Sequence, residues 1–102
     1  MDFVLDQIPI ENNEAKHRFE ARVGDYLALA DYTLTKQNMI VFTHTEVPPE
    51  LEGQGLATKL IRTALDHART QRLTVMPLCP FVKAFILRHP EYRDLVKPGF
   101  HL

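Results

Sequence analysis

Adjacent prolines at positions 48 and 49 divide the sequence into two stretches whose apolar residues repeat with different periods. Neither proline can donate a ladder hydrogen bond, so a β-strand has to stop there. Upstream, Phe19, Ala21 and Val23 alternate with Arg18, Glu20 and Arg22, the period-two pattern of a half-buried strand. Gly24-Asp25 then makes a two-residue hairpin turn, glycine accepting the positive φ that such turns demand. A return strand follows over residues 26–35, rich in aromatic and β-branched side chains. Lys36-Gln37-Asn38 turns the chain again, and residues 39–47 form the next strand, completing an antiparallel meander. Ahead of it all, residues 1–16 show little periodicity, and a short strand is expected there over residues 3–5.

Downstream of the prolines the period lengthens. Leu56, Leu60, Ala64 and Ala68, widened by Ile61 and Leu65, recur at helical spacing, while Lys59, Arg62, Asp66 and Arg69 face away. This predicts an amphipathic helix over residues 54–71. Residues 73–78 read as a short apolar strand closed by Pro77 and Pro80. Phe81, Val82, Phe85 and Ile86 mark a shorter helix that stops before Pro90. Strand, helix and strand over residues 39–78 form a crossover, so strand 73–78 is expected parallel to strand 39–47. The expected fold is α+β: a mixed sheet in which an antiparallel meander feeds one βαβ unit, ending in a short C-terminal helix. With no repeat and no linker, residues 1–102 read as a single domain.

At 102 residues, 45% of them hydrophobic and 25% charged, the chain has enough apolar surface for one core. That excludes a disordered chain, a collagen-like repeat and a coiled coil. The single cysteine, Cys79, excludes an internal disulfide framework and a cysteine-rich zinc site. His17, His67, His89 and His101 lack metal-ligand spacing, so no metal is expected. A net charge of −1 argues against a general nucleic-acid binder. No apolar run and no basic, apolar leader at the N-terminus mark a membrane or secretory segment, so a soluble, cytoplasmic protein is expected, its oligomeric state open with a monomer favoured. Charge is distributed unevenly. Residues 1–53 hold ten acidic and four basic residues, and residues 54–102 hold three and eight. Either this is chance among solvated side chains, or the second half holds an anionic ligand and the first faces a cationic one.

The segment Glu52-Gly53-Gln54-Gly55-Leu56-Ala57-Thr58 stands between strand and long helix. Its glycines let the backbone bend and let a ligand come close to the amides. The first turn of the helix has N–H groups without intrahelical partners, at the positive end of the dipole. A pyrophosphate fits such a place, with Lys59 and Arg62 adding charge nearby. A glycine-rich turn before a helix, with no ligand, is the plain alternative. Three residues are candidates for chemistry. His44 and Glu46 share one face of their strand by alternation, and either is a side chain able to act as a general base. Cys79, ahead of Pro80, falls at the N-cap of the second helix, where the dipole favours a thiolate. At the ends of neighbouring parallel strands, His44 and Cys79 would come within reach of each other, as a nucleophile pair requires. Equally, Cys79 is a small buried hydrophobe and His44 a hydrogen-bonded core residue.

Gly53-Gln54-Gly55-Leu56-Ala57 resembles the acetyl-CoA-binding loop of the GCN5-related N-acetyltransferases, whose pattern is Arg/Gln-x-x-Gly-x-Gly/Ala. Gly55 and Ala57 match its last two fixed positions, and Glu52 departs from its first. The runs Val41-Phe42-Thr43-His44-Thr45-Glu46-Val47-Pro48-Pro49, Pro77-Leu78-Cys79-Pro80-Phe81-Val82 and His89-Pro90-Glu91-Tyr92 resemble the small, minimal branch of that superfamily, in matching order from His17 to Val96. The resemblance implies that the two parallel strands splay apart, with Pro48-Pro49 and Pro77 at the splay, and that the pantetheine arm lies in the gap. It implies acetyl-CoA as co-substrate, held by Val47, Gly53, Gln54, Gly55, Leu56, Ala57, Thr58 and Lys59. Many larger relatives use a tyrosine on the last helix to protonate the departing thiolate. Counted from Ala84, Arg88 stands in its place here, and Tyr92 lies a turn later beyond Pro90. That role is not carried over.

Two functions follow as expectations. One is acetyl transfer from acetyl-CoA to a primary amine, a protein lysine or another loosely held amine, since a chain this short has no room for an enclosing acceptor pocket. The alternative is a CoA-binding or protein-interaction module with the same fold and no turnover.

Overall fold

A computed structural model describes residues 1–102. Five strands lie side by side in chain order: β1 (Glu11–Asn13), β2 (Arg18–Val23), β3 (Tyr26–Leu34), β4 (Met39–Glu46) and β5 (Thr74–Pro77). The first four are antiparallel neighbours, and β5 pairs parallel to β4. Helices α1 (Leu56–Thr70) and α2 (Pro80–Arg88) follow β4 and β5. The meander, the crossover and the short last helix are those that the periodicity predicts.

Three boundaries differ from expectation. Residues 3–5 form no strand; residues Leu5–Gln7 make a 3₁₀ turn, and the first strand is the polar Glu11–Asn13. An edge strand three residues long has no apolar alternation to betray it. It is held instead by pairing with β2 and by the Tyr32 hydroxyl, which donates to Asn12 Oδ1 at 2.7 Å. Helix α1 begins at Leu56 rather than Gln54, because its N-cap, Gly55, takes φ of 85° in the left-handed region. The β5 pairing ends at Pro77, where Phe42 stands opposite, so Pro77 ends the ladder well before Pro48. Cys79 then donates its backbone N–H to the Phe42 carbonyl at 2.9 Å, turning the chain off the sheet into α2.

Both helices pack on one face of the sheet. Phe19, Ala30, Tyr32, Ile40, Phe42 and Val75 on that face join Leu56, Leu60, Ile61, Ala64 and Leu65 of α1 and Val82, Phe85 and Ile86 of α2 in one core. No helix is long and apolar enough to cross a membrane. The C-terminal 3₁₀ turns of Pro90–Leu95 seal the end of this core through Tyr92, whose hydroxyl donates to Asp66 at 2.7 Å while Arg62 donates to it at 3.2 Å.

Burial, then the Asp66 carboxylate, holds the Tyr92 phenol above the ordinary tyrosine value of 10.0. A raised phenol contributes stability that is complete below pH 10.0 and is lost as pH climbs through the folded value. Replacing Tyr92 with Phe should cost about 1 kcal/mol at neutral pH, a typical hydrogen bond, measured by urea unfolding. It should also make the loss of stability above pH 10.0 shallower without abolishing it, since burial raises Tyr32 as well.

Candidate functional site

Strand β4 carries a bulge. Asp31 of β3 stands opposite His44 and Tyr32 opposite Phe42, so Thr43 is an extra residue with no partner across the pair. A bulge shifts the alternation by one. Ahead of it Ile40 and Phe42 point to the core; beyond it Thr45, opposite the buried Ala30, takes that side. His44 and Glu46 do share a face, as alternation requires, but it is the face without helices, and both are exposed.

The expected meeting of His44 with Cys79 therefore does not occur. Thr45 is the residue that reaches the sulfur, its Oγ1 3.4 Å from Cys79 Sγ. Cys79 sits at the N-cap of α2, the position expected, yet its side chain makes no capping bond and is buried in the core.

Beyond the Phe42–Pro77 pair, β4 continues to Glu46 with β3 on one side and no strand on the other. A cleft of about 630 Å³ opens along that edge. Consecutive residues Thr45, Glu46 and Val47 all line it, so the cleft meets the edge of the strand rather than one of its faces. Glu52, Gly53, Gly55, Leu56, Ala57 and Thr58 line its second wall, and Phe81 and Arg88 of α2 its third. From Gly53 to Thr58 no backbone N–H has an acceptor within the chain; the first amide of α1 to find one is that of Lys59, which donates to Gly55 O at 3.0 Å. This run of free donors at the positive end of a helix suits a pyrophosphate, and the free strand edge suits the amides of a pantetheine arm.

Two side chains of the loop and first turn are engaged elsewhere. Lys59 donates through Nζ to the carbonyls of Leu5 and Ile8, at 2.8 and 2.6 Å, and Gln54 donates through Nε2 to Met1 O at 2.7 Å. Both tie the leading segment against α1, and neither side chain lines the cleft. Arg62 is likewise turned to Tyr92 and His89. The cation that does line the cleft is Arg88, which helical periodicity marks only as a charge at the end of α2. Its sequence signal is its spacing of seven from Phe81, which puts both on one stripe of the helix. A second hollow, about 530 Å³, lies at the other end of the sheet around His17, Tyr32 and His67 and includes none of the expected site residues.

Gly55 shapes this loop in a way a side chain would spoil. At φ of 85° a Cβ is strained, and it would lie 3.2 Å from Leu5 Cδ2, toward the leading segment. Gly53, at φ of 79°, has nothing within 4 Å of such a Cβ. Alanine at either position should destabilise by roughly 1–2 kcal/mol from backbone strain. Gly55→Ala should cost more than Gly53→Ala in chemical unfolding, because Leu5 must also move.

A family model described as GCN5-related N-acetyltransferase matches residues 18–95. The protein NATD1 of Bos taurus is 25% identical over 95 residues, covering 89% of this chain and 84% of its own length. NATD1 of Danio rerio is 25% identical over 100 residues, with 91% of each covered. The solution structure of a GCN5-like candidate N-acetyltransferase from Staphylococcus aureus superposes with a TM-score of 0.71 at 28% identity, over 91% of both chains. With the family's pattern spanning every strand of the sheet from β2 onward and both helices, the chain belongs to the GCN5-related N-acetyltransferases.

Proposed function

We propose that this protein transfers acetyl from acetyl-CoA to a primary amine, with an exposed protein lysine as the acceptor class. The observation that carries the reading is a single one: the unpaired edge of β4 and the free amides from Gly53 to Thr58 open into the same cleft. The loop amides bind the pyrophosphate, and Val47 and its neighbours on the strand edge bind the amides of the pantetheine arm. A backbone N–H at the end of β4 stabilises the oxyanion that develops on the acetyl group. Glu46 is the base that takes the amine's proton, directly or through a water, since it lines the cleft and His44 does not. Transfer is direct: the buried Cys79 has no imidazole beside it to activate the sulfur. The acceptor approaches over the acidic rim of Glu46 and Glu52.

A non-catalytic CoA-binding module remains the second reading, favoured by Glu52 lying against the phosphate loop. Incubation of the protein with acetyl-CoA and a lysine-rich peptide separates the two, because only the first produces an acetylated peptide by mass. The enzyme alone with acetyl-CoA should show no acetyl adduct on Cys79, and Cys79→Ala should keep most of the activity. An adduct formed at the rate of turnover overturns direct transfer.

The loop has a probe that leaves the fold intact. Thr58 is exposed in the first turn of α1, where a carboxylate stabilises a helix by about 0.3–1 kcal/mol. Thr58→Asp should therefore keep or raise thermal stability while repelling the pyrophosphate. CoA affinity, by calorimetry, should fall at least about tenfold, ~1.4 kcal/mol. Unchanged affinity in this variant means the phosphates bind elsewhere.

A further inference from the structure

Acetyl transfer leaves a thiolate, and the cleft has no ordinary means of protonating it. Its lining includes no tyrosine, histidine, cysteine or lysine, the side chains that hand a proton to a leaving sulfur near neutral pH. Tyr92, the one tyrosine in the C-terminal third, is committed to Asp66 and Arg62 of α1 and does not line the cleft. Cys79 is buried against Thr45.

What the cleft does contain is one guanidinium. Arg88 is its only basic residue. Of the other arginines in the second half, Arg62 is bonded to Tyr92 and His89 and Arg69 to Asp94 and the Glu91 carbonyl, while Arg72 and Arg93, also unbonded, do not line the cleft. Arg88 has no hydrogen bond or ion pair within the chain, although two acidic residues, Glu46 and Glu52, line the same cleft. It projects from the last turn of α2, where the negative end of the helix dipole favours a cation, on the stripe that also presents Phe81. Phe81 supplies an apolar wall, and a charge beside such a wall acts on a neighbouring anion more strongly than in open water. Arginine stays protonated at any pH at which the protein is folded. It cannot serve as the acid, but it can neutralise an anion.

We propose that Arg88 stabilises the departing sulfur as a thiolate, in place of a general acid. The amine nitrogen's lone pair forms the new bond to the acetyl carbon, and its proton leaves to Glu46 or water. The carbon–sulfur bond breaks with its electron pair on sulfur, and the guanidinium pairs with that anion. Sulfur takes a proton from solvent only after CoA has left. This rests on the acetyltransferase reading of the cleft and adds to it the fate of the leaving group.

The test uses Arg88→Met, which keeps the apolar stem, and Arg88→Lys, which keeps the charge without the fork. Arg88 is exposed, and thermal melts of both variants establish that they fold. In the binary complex with CoA, the thiol is titrated by the ultraviolet absorbance of its thiolate. The wild type should hold that thiol at a lower pKa than Arg88→Met does, by about one unit, a tenfold shift. Turnover of a lysine peptide by Arg88→Met should fall tenfold or more with little change in KM for the acetyl donor. The fall should be as large with S-acetyl pantetheine, which has no phosphate, as with acetyl-CoA, and Arg88→Lys should recover part of it. A loss confined to acetyl-CoA, seen as weaker binding with an unshifted thiol, overturns the proposal and makes Arg88 a phosphate ligand. Equal thiol pKa values in wild type and Arg88→Met also overturn it. A wild type that shifts the thiol through Arg88 yet acetylates no amine keeps the thiolate contact and sinks the acetyltransferase reading. A wild type that binds no CoA sinks both.

Discussion

The parallel ladder between β4 and β5 ends at Phe42 and Pro77, and the site depends on that early end. Proline cannot carry the ladder on. The next free donor of the departing chain, Cys79 N–H, closes onto Phe42 O and locks the turn into α2. From there β4 has one strand neighbour instead of two, and its backbone is open to a ligand along Thr45–Val47. Had the ladder run to Glu46, β5 would cover that edge and fill the cleft.

The bulge at Thr43 decides which side chains meet at that opening. By shifting the alternation one residue it sends Thr45 into the core side against Cys79 and leaves His44 across from Asp31 on the helix-free face. A hydroxyl beside a buried thiol is a packing contact, whereas an imidazole there would have suggested a nucleophile. Whether an imidazole or a hydroxyl stands beside the sulfur thus turns on one unpaired residue in a strand.

The opposite wall is held by the leading segment. Leu5, Ile8 and Ile10 pack on the core, and Lys59 and Gln54 fasten the segment's carbonyls to the loop and to α1. Leu5 lies against the place where a Gly55 side chain would be, so the loop is backed by chain on its far side and open toward the cleft. A loop supported in this way keeps its amides pointed where an anion can use them without first ordering it. Pre-organisation of this kind lowers the entropic cost of binding.

Periodicity alone determines the meander, the amphipathic helix, the crossover and the short last helix, because each is an alternation between water and core that the chain repeats locally. The glycine-rich loop at the start of a helix was legible for the same reason: unpaired first-turn amides are a property of any helix end. The destinations of long side chains and the register of strands were not legible. Lys59 and Arg62 look like phosphate ligands by proximity in sequence, yet the distant carbonyls of Leu5 and Ile8 hold the first, and Tyr92 and His89 hold the second. Arg88 and Glu46 come to one cleft although α1, β5 and the length of α2 separate them in the chain. The polar strand at Glu11–Asn13 exists only because β2 offers it an edge. Local pattern reports which face of an element is apolar, and only tertiary packing decides what each polar atom finds as its partner.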